Sequence, residues 1–531
     1  MASKLGSLRV HSVRWKAGDP YSDAFGNIPI RNTHSDLDWN QDRQRAMARI
    51  RYVIRNSGWA RSLINRLLEL EIGKSVIIRP MINCQMLGID EDVARQIDAM
   101  LKARWEPYAY GTGRNVDAGR RLTFGSMVHL GARHQKVEGD ALFVRHWKRQ
   151  RGLPYNTCFK VIHPDRLSNP SGERERTRLR GGVERAEDGE VLAHHYRNAH
   201  PADYQSDNLN TWTRVPVRDG NGRQRIIHHF DVEDAEQTRG VSVMAAVVKQ
   251  VYMLDSYNEH ELRSAAIRAI FSVFIKTPYD LDTVTAALAP GSGQNAEDRL
   301  KFLTDLRSAF YDENPLNVFD PSFKVLSPSD DVVTTSAQKT DSNHTNFNTQ
   351  NLREVAAAGG ISSEPVSMNY TDANYSSLKA GENTSWRAAK QQQADLKNNL
   401  IKPMYALWVE ETLMRGFVPL PPGAPSVREA LDAYAGCQVI TPGRGYGDGK
   451  RDREGEDIAL QNGTSTIGQI VAEQGKDPDE HWMELQKEMR TWGDNHPFVR
   501  ATHRAMPQPG TSEDADNDDS DADGMEDEDG E

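Results

Sequence analysis

An unusually long stretch with helical periodicity, residues 238–276, limits the folds that this chain can adopt. Apolar side chains recur with helical spacing from Met244 onward, and no glycine or proline occurs between Gly240 and Pro278. A helix of about 34 residues would be roughly 50 Å long, whereas helices in globular proteins average about 11–12 residues. The sequence therefore predicts one helix over 240–275 that extends beyond an ordinary globular core.

The composition indicates a large chain with much exposed surface. Its 531 residues are enough for two or more domains, and the mean hydropathy of -0.68 is low for a compact globule. No run of about eighteen apolar residues is present, so no membrane span is expected. The three cysteines are widely spaced and form no CxxC motif, so neither a zinc ribbon nor a disulfide framework is predicted. This cysteine usage is typical of a reducing cytoplasm.

Charge is concentrated at the C-terminus. From Thr511 to Glu531 the chain has twelve acidic and no basic residues, so the net charge of -11 leaves the remainder at -11 + 12 = +1. We expect a disordered acidic tail over 501–531, because such a segment repels itself and buries little apolar area. The tail would increase solubility, or it would compete with DNA for basic surfaces. The near-neutral remainder, without a basic recognition helix, argues against a sequence-specific DNA-binding protein.

The order of elements predicts an α+β fold. Helices dominate at first, short strands with DG and NG turns dominate over 155–232, and the long helix follows. After a mixed segment, a second helix ends at Gly359-Gly360. The stretch "SMNYTDANYSSLKAGENTSWR", polar and aromatic, then leads into a helix over about 377–415 that Pro403 should kink.

No catalytic constellation is apparent in the sequence. Glu138 and Asp140 would lie on one strand face as a possible acid/base pair, but nothing nearby in the sequence would activate them. Adjacent histidines such as His228-His229 and His194-His195 point to opposite faces of a strand, so at most one of each pair can join a metal cluster. We therefore predict no enzyme activity, no cofactor and no metal ligands.

Several segments resemble the lambda-like family of tailed-bacteriophage portal proteins. The most specific are the stretch Gln237–Gly240 (QTRG) and the stretch Asn374–Ser377 (NYSS). The others are "RYVIRNSGWARSLINRLLELEIG", "EGDALF", "VIHPDRLSNP", "GVERAEDGE", "HHFDVEDAEQTRGVS", "MNYTDANYSSLKAGENTSWR" and "NGTSTIGQIVAEQG". The likeness covers about residues 41–490. The approach to the C-terminal module, "CQVITPGRGYGDGKRDREGED", departs from the family pattern, as does the acidic tail.

The resemblance implies a portal fold with a β-rich wing, a helical stem, a small α/β clip, a tunnel loop and a helical crown. Its segments are an N-terminal arm (1–40), the wing (41–238), a stem helix (239–276), the clip (277–341), a returning stem helix (342–360), the tunnel loop (361–377), a long kinked helix from wing to crown (378–440), the crown (441–500) and the acidic tail (501–531).

The resemblance also selects candidate residues for contact with DNA. A loop beside moving DNA needs short polar groups and few cations, because strong phosphate contacts would stall movement. The loop candidates are Asn369, Tyr370, Thr371, Asn374, Tyr375, Ser376 and Lys379, and the basic stem candidates are Arg239, Lys249, Arg263 and Arg268. Tyr370 and Tyr375 would pack between neighbouring loops, and Ser376 or Ser377 would cap the following helix. For Arg239 a salt bridge at the helix entrance is favoured over DNA contact.

The implied function is that of a non-enzymatic ring, of twelve copies, at one capsid vertex. Double-stranded DNA would pass through it without sequence specificity during packaging and ejection. The implied partners are the terminase large subunit, a head–tail connector protein, and the major capsid and scaffolding proteins, with no membrane. The ring would be assembled in the host cytoplasm and found in the virion. The alternative is an unrecognised cytoplasmic hydrolase or nucleotidyl-transfer enzyme, which turnover by a purified monomer would favour.

Overall fold

The computed structural model describes residues 33–74, 76–149, 152–270, 341–371, 373–443 and 449–493, with a few isolated positions between 274 and 325. Most of the predicted N-terminal arm, nearly all of the predicted clip and the acidic tail lie outside the described residues. The chain divides into two compact units, residues 1–447 and 448–531. Helices and small sheets occur together in the first unit, which agrees with the α+β prediction.

Several helices among the described residues of the first unit begin at a capping side chain. The helices described in this unit are α1 (Ser35–Asn56), α2 (Gly58–Glu71), α3 (Cys84–Leu87), α4 (Glu91–Tyr110), α5 (Phe124–Glu138), α6 (Val248–Ile270), α7 (Asp341–Ala358), α8 (Ser363–Ser367), α9 (Tyr375–Leu396), α10 (Lys402–Met414) and α11 (Leu431–Tyr434). Helix α1 begins within the predicted N-terminal arm (1–40), because the His34 side chain accepts the Asp36 N–H and caps the helix. Ser57 separates α1 from α2 and caps the second helix through the Ala60 N–H.

The strands form four small sheets. They are β1 (Ile77–Pro80), β2 (Ala141–Trp147), β3 (Thr157–Ile162), β4 (Leu179–Arg180), β5 (Val183–Arg185), β6 (Val191–Arg197), β7 (Trp212–Pro216), β8 (Ile226–His229), β9 (Phe274–Ile275), β10 (Lys324–Val325) and β11 (Cys437–Ile440). One sheet has the antiparallel order β3-β2-β8, and a second has the order β4-β5-β6-β7. β1 pairs antiparallel with β11, and β9 pairs parallel with β10. The β-rich character predicted for residues 155–232 is therefore confirmed.

Two hydrophobic cores hold the first unit together. In the larger one, Trp105 contacts Phe124, Tyr405 and Trp408 with ring centroids 5.0–5.2 Å apart, so α4, α5 and α10 share one aromatic centre. The smaller core lies between the three-stranded and four-stranded sheets and includes Leu142 of β2. Aromatic edge contacts of this kind add about 0.5–1.5 kcal/mol beyond the burial of apolar area.

The helix predicted over 240–275 begins later than its sequence pattern indicates, and Phe274–Ile275 at its predicted end form strand β9 instead. Residues 243–247 form turns, and α6 runs over Val248–Ile270. The preceding backbone is held by helix α5, because the Val243 N–H and the Ser242 hydroxyl both donate to the Lys136 carbonyl. Gly240 lies so close to Gly139 that a Cβ on it would be 2.0 Å from the Gly139 carbonyl oxygen. These tertiary contacts keep 240–243 out of the helix.

The long helix predicted over about 377–415 is interrupted, and the interruption lies just before Pro403. Helix α9 ends at Leu396, a π-helical turn spans Lys397–Ile401, and α10 begins at Lys402. Pro403 therefore lies in the first turn of α10. Residues in the first turn of a helix do not need an N–H for an intrahelical hydrogen bond, so proline is tolerated there. After Met414 the chain is irregular up to α11 and β11, so the helix does not continue through the predicted range 378–440.

The described part of the second unit is a helical module, as the sequence predicts. Its helices are α12 (Gly449–Gln461), α13 (Ile467–Glu473) and α14 (Pro478–Trp492). Thr466 and Gln469 form a capping box at α13, and Asp477 caps α14. No helix among the described residues of the whole chain is both long and apolar enough to cross a membrane.

Candidate nucleic-acid interface

The predicted tunnel loop is shorter than its sequence range 361–377. The short helix α8 occupies residues 363–367, and α9 begins at Tyr375, so the connecting loop spans residues 368–374. Met368 adopts a left-handed conformation with a φ of 55°, which ends α8. The Asn374 side chain accepts the Ser377 N–H at 2.8 Å. Asn374 is therefore the cap of α9, and the prediction of Ser376 or Ser377 in that role is wrong.

The predicted loop residues face solvent. Asn369, Tyr370, Thr371, Asn374, Tyr375 and Ser376 are exposed, and Lys379 is half-buried. The Asn369 carboxamide accepts the Thr371 N–H at 3.1 Å, and the Ala373 N–H donates to the Tyr370 carbonyl at 3.3 Å. These local bonds define the course of the loop while most of its polar groups remain turned to solvent. The side chains of Tyr375, Ser376 and Lys379 belong to the first turns of α9 rather than to the loop.

The base of the loop is anchored to helix α2. Val366 is fully buried, and the Ser62 hydroxyl donates to its carbonyl at 2.9 Å. On the other side, the Ser362 N–H donates to the Ser385 hydroxyl of α9 at 3.0 Å. A polar loop is thus held by buried contacts at its base, so its tip has a defined position.

An open cavity of about 620 Å³ lies beside the loop. Its walls come from α2, α7, α8, the loop and the start of α9. The lining residues are Trp59, Asn348, Thr349, Leu352, Arg353, Ser363, Glu364, Ser367, Asn369, Ala373, Asn374 and Ser377. No local sequence pattern predicts this cavity, because its residues come from distant parts of the chain.

Two arginines lie near the loop in addition to Lys379. Lys379 donates to the Tyr375 hydroxyl at 3.4 Å and lies 5.7 Å from the centre of its ring. Arg66 of α2 contacts the Met368 sulfur at 3.7 Å, and Arg353 of α7 lines the cavity. Lys379 is the only basic residue in the sequence from 361 to 379, but Arg66 and Arg353 bring further positive charge close to the loop in space.

The four basic stem candidates are in different environments. Arg239 is buried and lies before α6, whereas Lys249 and Arg263 are exposed on α6. Arg263 forms an ion pair with Glu259 at 2.5 Å. Arg268 is on the last turns of α6, where only the backbone is described.

Arg239 belongs to a buried ionic network centred on Asp140. Its guanidinium lies 2.7 Å from the Asp140 carboxylate, and it also donates to the carbonyls of Pro164, Leu167 and Gly181 at 2.9–3.0 Å. The salt bridge favoured for Arg239 in the sequence analysis is thus present. Only 2% of the Arg239 surface is exposed, so within one copy of the chain its side chain is not accessible to DNA.

Three further residues contact the Asp140 carboxylate. The Gly240 N–H donates to it at 2.8 Å, the His228 side chain of β8 lies at 3.0 Å, and Arg43 of α1 lies at 3.3 Å. Burial alone would raise the pKa of Asp140, but the Arg239 charge and the His228 hydrogen bond outweigh it and hold the pKa far below its ordinary range. The carboxylate is therefore ionised, and it joins α1 and β8 to the segment that precedes α6.

Glu138 is in a second part of the same network. It is the last residue of α5, not a strand residue beside Asp140, so the prediction that both lie on one strand face is wrong. Arg51 bonds the carboxylates of both Glu138 and Asp165, at 3.2 and 2.5 Å. Burial would raise the pKa of Asp165, but the Arg51 hydrogen bond and charge hold it well below its usual value. These carboxylates are held as ion-pair partners rather than as an acid/base pair.

Three histidines border this network with the spacing of metal ligands. The candidate groups are His134–Glu138–His163 and His163–Asp165–His200. However, the Nδ1 atoms of His163 and His200 accept backbone N–H groups at 3.2 and 3.1 Å, so the Nε2 atom carries the proton in each neutral ring. The arrangement therefore favours hydrogen bonds from these rings to the carboxylates over coordination of a cation.

The remaining paired histidines point to opposite strand faces, as predicted. His194 is buried and contacts His228, whereas His195 pairs with Glu184 at 3.0 Å. His229 is buried on the other face of β8 from His228, and burial lowers its pKa to about 4. Burial also lowers the pKa of His194 well below its ordinary value, so His194 and His229 are neutral at neutral pH.

The segments that define the resemblance meet at this network. EGDALF supplies Asp140, VIHPDRLSNP supplies Asp165, and QTRG supplies Arg239. The Thr238 N–H and hydroxyl both donate to Asp36 of α1 at 2.8 and 2.9 Å, so QTRG also fixes the first helix. Its residues therefore have one shared task, which is to join α1 and the residue before β2 to the segment that leads into α6.

Comparison with known proteins decides the family. A model of the phage portal proteins of the lambda family matches residues 23–393, which is most of the chain. The chain belongs to the lambda family of phage portal proteins. It is 27% identical over 445 residues to portal protein B of Escherichia phage lambda, and 26% identical over 445 residues to the portal protein of Escherichia phage N15. Each of these alignments covers 84% of this chain and 83% of the relative.

A more distant relative extends the same result. The probable portal protein of Halomonas phage phiHAP-1 is 21% identical over 470 residues, covering 87% of this chain and 83% of the relative. The function is thus that of a phage portal, a ring-forming component of the capsid in the virion. Members of this family are structural rather than enzymatic components of the phage.

Proposed function

We propose that twelve copies of this chain form a ring at one vertex of the capsid, and that double-stranded DNA enters and leaves through its axis. The loop at residues 368–374 and the first turn of α9 would line the channel. The observation that carries this proposal is the combination of an exposed, polar loop with a base held by buried contacts to α2 and α9.

The chemistry of the loop suits a channel through which DNA moves. Asn369, Thr371 and Ser376 offer short neutral groups that bond phosphate weakly. Each fixed cation that neutralises a phosphate releases counterions and makes DNA binding more favourable. Tighter binding would slow the movement of DNA. The few basic residues of α6 fit the same requirement, since Arg263 is paired with Glu259.

The partners follow from the position of a portal in the capsid. The segment 277–341 would form the clip that contacts the terminase large subunit during packaging and a head–tail connector protein afterwards. The outer surface of the wing would contact the major capsid and scaffolding proteins. Assembly would take place in the host cytoplasm, and the energy for packaging would come from the terminase.

The first experiment is to measure the mass and symmetry of the purified full-length protein. Light scattering should give twelve times the chain mass of 59.6 kDa, and negative-stain averages should show a ring with an axial hole. A protein that stays monomeric or dimeric at high concentration would contradict the proposal. Turnover of a phosphoester or nucleotide by such a monomer would favour the alternative of a hydrolase or nucleotidyl-transfer enzyme.

A second experiment tests the loop in infection. A phage that depends on the variant Ser376→Lys together with Thr371→Lys should package less DNA per particle, because two added cations per copy would strengthen phosphate contacts. The matched control is Asn208→Lys, which adds an exposed lysine to the wing. Equal DNA content in the loop variant and the control would contradict the assignment of this loop to the channel.

A further inference from the structure

We propose that the cavity beside the loop receives the Tyr370 side chain of the neighbouring copy. This inference rests on the proposed ring. It assigns an occupant to a space of about 620 Å³, which is large enough to admit a tyrosine side chain. The contact would link each channel loop to the next one around the ring.

The lining of the cavity matches the two-sided chemistry of tyrosine. Trp59 and Leu352 provide apolar surface for a ring, and Arg353 provides a cation that can lie against its face. Glu364 provides an acceptor for a phenol hydroxyl. A tyrosine combines an apolar ring with one polar tip and buries roughly 150–250 Å² in such a site. A phosphate group could bind Arg353, but the Glu364 carboxylate would repel it. The charges of the lining therefore favour tyrosine over phosphate.

Of the two tyrosines in the loop and the first turn of α9, Tyr370 is the one available for this contact. Tyr375 is already engaged, because its hydroxyl accepts a hydrogen bond from Lys379 and its ring faces that cation. Tyr370 is 49% exposed, and its hydroxyl has no hydrogen-bond partner among the described residues. Its neighbours Asn369 and Ala373 line the cavity of their own copy, whereas Tyr370 does not. Its side chain therefore leaves that cavity open.

Ring symmetry supplies the geometry. In a cyclic assembly the contact between neighbours is head-to-tail, so every copy offers one surface to one neighbour and a different surface to the other. All loops then lie at the same height along the axis. Each copy would insert one Tyr370 and receive one, and the number of such contacts would equal the number of copies.

Disulfide cross-linking of the assembled full-length ring tests the contact. The double variant Tyr370→Cys with Ser363→Cys places a thiol on the loop and another on the rim of the cavity. On mild oxidation we expect a ladder of covalent oligomers in a non-reducing gel, because only thiols whose Cβ atoms come within about 3.5–4.5 Å join without strain. The matched control, Tyr375→Cys with Ser363→Cys, and both single variants should remain monomeric in the gel.

Ring stability provides a second, independent measurement. Tyr370→Ala should lower the denaturant concentration at which the ring dissociates, whereas Tyr375→Ala should lower it less, and Tyr370→Phe should retain part of the stability. An intact ring that gives no ladder, with Tyr370→Ala as stable as the wild type, would overturn this inference and leave the portal proposal standing. Failure of the wild-type chain to form a ring would overturn both.

Discussion

At the scale of single residues, the most informative position is Asp140. Its place in the sequence, two residues after Glu138, makes it a candidate for an acid/base pair, but in the structure it is the acceptor for Arg239, Arg43, His228 and the Gly240 N–H. A carboxylate with this many charged and polar partners, all buried, is stable only as an anion. Its role is to fix the segment around Arg239 and Gly240, which leads into α6.

Replacement of Asp140 should therefore destabilise the protein strongly. Asp140→Asn keeps the shape but leaves two buried guanidinium groups without their carboxylate, so we expect the free energy of unfolding to fall by about 3–5 kcal/mol. Urea unfolding followed by circular dichroism measures this change. The control is Glu184→Gln, whose partner Arg214 is half-exposed, and we expect a loss below about 1 kcal/mol there. Equal losses in both variants would contradict this assignment.

Buried histidines make stability depend on pH. Burial lowers the pKa of His229 to about 4, whereas the unfolded chain has a histidine pKa of about 6.5. The unfolded state therefore binds the proton first, and stability should fall by about 3 kcal/mol as the pH drops from 6.5 through 4.

His229→Gln should reduce the slope of unfolding free energy against pH by about 1 kcal/mol per pH unit between pH 5 and 6. The exposed control His260→Gln should leave the slope as in the wild type, and an unchanged slope in His229→Gln would contradict the interpretation.

At the scale of elements, the length of each helix depends on its ends. Helix α9 begins at Tyr375 because Asn374 caps it, and it is separated from α10 by a π-helical turn that precedes Pro403. The start of α6 is set from outside, by bonds from Ser242 and Val243 to the Lys136 carbonyl. Local sequence signals thus place the start of α9 correctly to within a few residues, but they miss its end and place the start of α6 too early.

The cap of α9 can be tested by two neighbouring substitutions. Asn374→Ala removes the acceptor of the Ser377 N–H and should cost about 1 kcal/mol, whereas Ser376→Ala removes an exposed hydroxyl and should cost much less. Hydrogen exchange of the first turn of α9 should accelerate several-fold in the first variant only. Equal acceleration in both variants would mean that Asn374 does not act as the cap.

At the scale of the whole molecule, the two units differ in how much core they contain. The first unit has two hydrophobic cores. In the described part of the second unit, the only buried apolar residues are Val471 and Pro478. Trp482, Met483 and Trp492 of α14 are exposed. Capping alone rarely keeps short helices folded in water, because most helix stability in proteins comes from tertiary packing.

The second unit should therefore not be stably folded when isolated. We expect a peptide of residues 448–531 to show little helical circular dichroism, because it buries too little apolar area. A chain truncated after residue 447 should keep the near-ultraviolet dichroism of the first unit, since both hydrophobic cores lie within that unit. A cooperative thermal transition in the isolated peptide would contradict this prediction.

The sequence by itself determined the order of helices and strands, the β-rich character of residues 155–232, and the family, because these depend on local periodicity and on short motifs. It also placed the polar loop between its two flanking helices. The tertiary structure alone decided the roles of Asp140 and Glu138, the late start of α6, and the approach of Arg66 and Arg353 to the loop. The physical reason is that burial, ion pairing and close backbone approach join residues that are far apart in the chain, as Arg239 and Asp140 are, and local patterns carry no record of such contacts.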